Sequence, residues 1–139
     1  MMKTLIKNTE IQIGDESVRY YPYYFGIEDY QRDHRLCVKD VLSQWAVALR
    51  QLGSGYDVLH LPYSLDDESC WCFRATLEKG RVSLRCVHVD ANGYAMALND
   101  LTADLTSEYK YFKEMPNDFG VYEPDELIES LIQAEIEDE

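Results

Sequence analysis

Cys70-Trp71-Cys72-Phe73-Arg74-Ala75-Thr76-Leu77-Glu78, then Lys79-Gly80, then Arg81-Val82-Ser83-Leu84-Arg85-Cys86-Val87-His88-Val89 is the most informative run in the chain. Both flanks are rich in aromatic and β-branched residues, and Lys79-Gly80 has the composition of a two-residue hairpin loop. A loop of that length fixes the register. It pairs Glu78 with Arg81, Leu77 with Val82, Ala75 with Leu84, Phe73 with Cys86 and Trp71 with His88. Side chains alternate across a strand, so this register gathers one apolar face. The other face, Glu78 with Arg81, Thr76 with Ser83, Arg74 with Arg85 and Cys72 with Val87, is mixed and suits solvent or partial cover.

Outward from the hairpin, Asp66-Asp67-Glu68-Ser69 reads as a turn after a strand over 56–65. Before it, Val38, Val41, Leu42, Trp45, Leu49 and Leu52 recur at helical spacing, behind a polar approach at 29–33. Gly53-Ser54-Gly55 ends that helix, because glycine accepts the left-handed conformation other residues resist. Short strands are expected over 3–7 and 17–25, with Gly14-Asp15-Glu16 as the turn between them. Toward the end, Leu98, Leu101, Leu105, Tyr109 and Phe112 fall at helical spacing, and Pro116-Asn117-Asp118 breaks the pattern. Pro124 then opens a last helix, with Asp125 and Glu126 favourably placed against its dipole and Leu127, Ile128, Leu131 and Ile132 as anchors. Strands between helices without βαβ alternation indicate an α+β fold, an antiparallel sheet of about four to six strands with two or three helices packed mainly on one face.

The chain has 139 residues, the size of one domain. Its formal net charge of −13 is unevenly placed: residues 1–35 sum to −1, 36–117 to −3 and 118–139 to −9, the last stretch holding no Lys or Arg. Such a surface repels phosphate backbones and anionic lipid and speeds encounter with a basic partner, so no direct nucleic-acid or membrane binding is expected. The longest apolar run, 45–49, is far short of the ~20 residues a bilayer crossing needs, and the first residues lack a signal pattern. A cytosolic protein with reduced Cys37, Cys70, Cys72 and Cys86 is the expectation.

The search for chemistry yields little. Cys70 and Cys72 with Cys86 and His88 have the donor set of a zinc site, but the hairpin register puts the two pairs on opposite faces. Cys37 with His34 is a nucleophile and base only by sequence proximity. His60 and His88 sit in strands, where a hydrogen-bonded structural role is the common one. No phosphate-cradling glycine loop, nucleophile elbow or zinc-protease motif is present. The carboxylates at 66–68 and 137–139 fall in a turn and a tail, where water keeps them ionised. The aromatic run Tyr20-Tyr21-Pro22-Tyr23-Tyr24-Phe25, near Arg19, Arg32 and Arg35, has the rings of a base-stacking surface, but the charge of the chain opposes that use. Exposed tyrosines beside acids instead suit a protein interface. No catalytic residue, metal or cofactor is therefore expected.

With these motifs placed, the layout over about residues 20–90 resembles the immunity proteins of bacterial contact-dependent growth inhibition and related polymorphic toxin systems. The resemblance rests on Ile27-Glu28-Asp29-Tyr30 before a helix carrying Trp45, the strand over 59–65, the acidic turn Asp66-Asp67-Glu68, and the aromatic strand with Trp71 and Phe73 leading into Lys79-Gly80. It implies a stoichiometric inhibitor that binds the C-terminal toxin domain of a cognate effector, commonly a nuclease, in a 1:1 complex. A nuclease that grips phosphate is basic around its active site, which matches the charge here. The expected contact residues are Asp66, Asp67 and Glu68, Tyr122, Glu123, Asp125, Glu126 and Glu129, with Tyr21, Tyr23 and Tyr24. Two other classes stand beside this one: a small Cys/His-dependent or metal-dependent enzyme, and a homo-oligomeric adaptor that uses a sheet edge or the acidic helix.

Overall fold

The computed structural model describes residues 2–20, 33–65, 70–89 and 112–137. Its elements, in chain order, are β1 Thr4–Ile6, β2 Glu10–Ile13, β3 Glu16–Arg19, α1 His34–Leu49, β4 Val58–Leu65, β5 Cys70–Glu78, β6 Arg81–Val89, β7 Phe112–Tyr122, α2 Pro124–Ile132 and β8 Glu135–Ile136. The class is α+β. The strands, however, form two four-stranded sheets instead of one, ordered β3-β2-β1-β8 and β4-β5-β6-β7.

The central hairpin has the expected register throughout, from Glu78 opposite Arg81 to Cys70 opposite Val89. Its turn residues both lie at positive φ, Lys79 at 52° and Gly80 at 77°, the backbone of a type I′ turn whose twist matches the strands it joins. The apolar face holds Phe73 and Ala75 fully buried beside Leu84 and Val82, and it loosens toward the turn, where Leu77 is 43% exposed. The mixed face is covered at Cys72, Val87, Ser83 and His60 and open at Glu78 and Arg81. Arg74 and Arg85 stand directly opposite one another there, a repulsive placement. Arg85 offsets it by turning its Nε to within 3.0 Å of Asp118 Oδ1, while Arg74 Nε lies 3.4 Å from His60 Nε2.

The second and third strands form a hairpin around Gly14-Asp15, with Ile13 opposite Glu16. Gly14, at φ 61°, is the first central residue of that turn, where an L side chain is disfavoured. The first sheet is completed from the far end of the chain. There β8 pairs in parallel with β1, setting Leu5 opposite Glu135 and Ile6 opposite Ile136. The terminal stretch expected as a free tail is thus tied down as far as Glu137, whose N–H donates to Ile6 O and whose carboxylate lies 3.5 Å from Lys7 Nζ.

One core joins both sheets and both helices. Helix α1 buries Val38, Leu42, Trp45, Ala46, Ala48 and Leu49, and Trp45 meets Phe73 edge-on with centroids 5.7 Å apart. Tyr63 and Phe119 close on the same Phe73 ring at 4.7 and 4.6 Å. Gly53 and Gly55 take positive φ values of 87° and 123°, but they do not cap α1 as expected: the helix ends at Leu49 with Arg50 as its cap, and the glycines shape the turn that follows.

The start of α1 carries a pH-sensitive cap. The Asp33 carboxylate accepts from Arg35 N–H at 2.9 Å and from the Arg35 guanidinium, whose Nη2 lies 2.7 Å from Oδ2. The side-chain hydrogen bonds, the backbone N–H and the adjacent positive charge hold its pKa down, from 3.8 to about 2. Because the folded value lies below the ordinary one, the stabilisation is complete above pH 3.8 and is lost as pH falls through about 2. Asp33→Asn keeps a capping oxygen and removes the titration. Urea midpoints for the two proteins should converge below that window and separate above it; parallel acid limbs would show that Asp33 is not so perturbed.

Two expectations fail in β7. The helix through Leu98, Leu101, Leu105 and Tyr109 falls outside the described residues, but Phe112, its expected last contact, is the first residue of a strand. Pro116-Asn117-Asp118, read as a breaker, lies inside that strand. The physical reason is position: β7 is a sheet edge, and its pairing to β6 slips between Arg85 and Val87, so a missing N–H there disrupts little. Pro62 is placed alike in the opposite edge strand, next to a slip between Pro62 and Ser64. A second irregularity, with Leu84 opposite Gly120 and Arg85 opposite Asp118, leaves Phe119 as the extra residue of a bulge, and its ring reaches the core.

Candidate functional site

Helix α2 is held at both ends by strands and along its length by apolar contacts. Leu127 and Leu131 are fully buried and Ile128 partly so, while Ile132, expected as an anchor, is 41% exposed. A buried serine takes its place: Ser130 Oγ donates to Leu127 O at 2.8 Å and accepts from Thr4 Oγ1 at 3.1 Å, tying α2 to β1. Pro124 occupies the first turn, and the Glu123 carboxylate accepts from Glu126 N–H at 2.8 Å, capping the helix with a glutamate instead of the usual Ser, Thr, Asn or Asp. No basic residue occupies the last turn.

This mounting presents Glu123, Asp125, Glu126 and Glu129 on the exposed side of α2. They wall a hollow of about 430 Å3 together with Met2 and Ser130. Among the described residues, none of these four carboxylates forms an ion pair. Their contacts are hydrogen bonds: Met2 N–H to Glu126 at 3.2 Å, the Glu123 cap, and Gln133 to Glu129 at 2.6 Å. Asp125 and Glu126 lie in the first turn, where the positive end of the helix dipole favours anionic side chains.

Tyr122 sits next to these acids with its ring turned inward. Its pairing opposite Val82 puts it on the core face, and the ring folds back over Gly120. Its hydroxyl is buried without a hydrogen-bond partner among the described residues, and burial, then the charge of Glu16, pushes its pKa up to about 12. Tyr122 therefore forms the wall between the acidic face and the core. A Cβ on Gly120 would lie 2.5 Å from the Tyr122 hydroxyl oxygen. Gly120→Ala should cost about 1–3 kcal/mol as the ring is forced off, and the Tyr122 pKa should fall from about 12 toward 10. Cζ-labelled tyrosine NMR reads both forms, and an unshifted titration would show that the ring does not need the glycine.

Asp66, Asp67, Glu68, Tyr21, Tyr23 and Tyr24 lie outside the described residues. The structure thus brings together the α2 group alone of the expected contacts, and adds Met2, Ser130 and the β2–β3 turn, where Asp15 and Glu16 are exposed nearby. Gly14-Asp15-Glu16 carried a turn signal but nothing that placed it beside the other end of the chain.

The residues weighed for chemistry are dispersed. Cys72 pairs with Val87 and Cys86 with Phe73, so Cys72 and the Cys86–His88 pair occupy opposite faces of the sheet. Among the described residues no group of three or more His, Cys, Asp or Glu side chains converges as metal ligands would. Burial pushes the Cys86 thiol up, against a hydrogen bond with Tyr63. His88 stacks on Trp71 with centroids 4.4 Å apart, and His34 Nε2 donates to Asn8 O at 2.9 Å. His60 is buried beside Arg74.

No family model, curated protein or solved structure matches the chain. No helix among the described residues is long and apolar enough to cross a membrane.

Proposed function

We propose that this chain is an immunity-type binding protein that neutralises a basic toxin domain, such as a nuclease, in a 1:1 complex. It acts by occupancy, not turnover. The observation that carries this reading is the α2 face: Glu123, Asp125, Glu126 and Glu129, free of ion pairs with described residues, on a helix fixed by Leu127, Leu131 and Ser130. Fixed carboxylates need no ordering before contact, which lowers the cost of association. A domain that binds nucleic acid offers lysines and arginines where its substrate lies, so the same acids steer the encounter and cover that path. Action by occupancy calls for no cofactor or metal.

The test is co-expression with the effector encoded beside this gene. A 1:1 complex in size-exclusion chromatography and survival of cells making the effector's C-terminal domain are expected. Absence of both the complex and the protection refutes the reading.

A further inference from the structure

A second depression lies next to the acidic face, between the β2–β3 turn and the end of β7, with a volume of about 590 Å3. Leu5, Ile13 and Phe119 line it, together with Gly120 and the Tyr122 ring that folds over it. Ile13 and Phe119 are core residues, 1% and 8% exposed, so this floor does not move aside. On the turn side stand Asp15 and Glu16, both exposed, and on the β7 side stands Val121, 53% exposed. Met2 lines both this groove and the α2 hollow, so the two are neighbours across one side chain. Around the pair, Asp15, Glu16, Glu123, Asp125, Glu126 and Glu129 are joined by one cation among the described residues, Lys3. None of those six carboxylates forms an ion pair with a described residue.

The lining selects the occupant. An inorganic cation gains nothing from Phe119 and Val121, and a purely apolar side chain would strip water from Asp15 and Glu16 without replacing it. A side chain with an aliphatic stem and a cationic head satisfies both parts. Arginine suits it better than lysine, since the guanidinium is more weakly hydrated and its planar fork matches paired carboxylate oxygens. We propose that this groove seats an arginine side chain of the basic partner, its guanidinium at Asp15 and Glu16 and its stem against Phe119 and Val121. This rests on the reading of the chain as a binder of a basic protein, and it extends the contact surface from α2 to the β2–β3 turn.

The test titrates the ¹⁵N-labelled protein with the blocked tripeptide acetyl-Gly-Arg-Gly-amide, using the uncharged citrulline peptide as control. Saturable amide shifts at Gly14, Asp15, Glu16, Gly120 and Val121 are expected, absent with citrulline. Asp15→Asn with Glu16→Gln, both exposed and isosteric, should weaken binding about fivefold or more. Shifts confined to residues 123–129 would overturn the groove while leaving the acidic helix as a contact surface. Shifts confined to the groove would support it and count against α2. Equal binding of citrulline, an unaffected double variant, or no shifts at all would each overturn the proposal.

Discussion

Phe73→Ala should remove about 3–5 kcal/mol of stability, a large fraction of the ~5–15 kcal/mol typical of a single domain. Phe73 is fully buried and is where three elements meet: Trp45 from α1 at 5.7 Å, Tyr63 from β4 at 4.7 Å and Phe119 from the β7 bulge at 4.6 Å. Deleting the ring leaves a cavity walled by aromatic side chains that rigid strands hold apart, so little of it can close. Leu77→Ala provides the internal control. It lies on the same face of the same strand but is 43% exposed, and its loss should cost about 1 kcal/mol or less. Urea unfolding gives both numbers, and the slope should stay constant while the midpoint falls. A Phe73→Ala cost no greater than that of Leu77→Ala would mean that the Phe73 ring does not anchor α1 and the β7 bulge to the second sheet.

The second large effect is on association. Replacing Asp125, Glu126 and Glu129 together by lysine reverses the α2 face, and the rate of complex formation with a basic toxin domain should drop by about tenfold to a thousandfold at low ionic strength. Exposed charges act through solvent, so the wild-type and variant rates should approach one another as added salt shortens the screening length. The fold should survive with a loss of about 0.3–1 kcal/mol for each charge reversed in the first turn, at Asp125 and Glu126, because all three side chains are exposed and apart from the Leu127 and Leu131 anchors. Stopped-flow mixing across a salt series separates these effects. A salt-independent deficit would indicate a lost short-range contact, and an unchanged rate would remove α2 from the encounter surface.

What was legible in the sequence depended on whether the signal was local. The β5–β6 hairpin was readable because a two-residue turn converts composition into register without outside help. Helix α1 was readable from its stripe, and α2 from Pro124 and the acids behind it. One failure is an element too short to signal itself, and the other two are made by distant partners. Strand β2 contributes only Ile11 and Ile13 to the core, too short an alternation to stand out beside the turn at Gly14. Strand β7 carries a proline, and only its place at a bulged edge makes that residue tolerable. Strand β8 is two residues long and exists because β1 offers it an edge. The binding surface divides in the same way. Its acidic helix follows from composition, whereas the approach of Asp15 and Glu16 to the end of β7 is a tertiary fact with no trace in either segment alone.

The parallel pairing of β1 with β8 also sets an order of events during synthesis. Glu135 emerges from the ribosome about 130 residues after its neighbour Leu5. At translation speeds of about 5–20 residues per second, the outer edge of β1 waits for several seconds without its partner. Meanwhile the hairpins β2–β3 and β5–β6, whose partners are adjacent in sequence, can already close. Strand β8 therefore acts as a latch on elements that have already formed, and a chain cut just before Glu135 would leave that edge open to pairing with another chain.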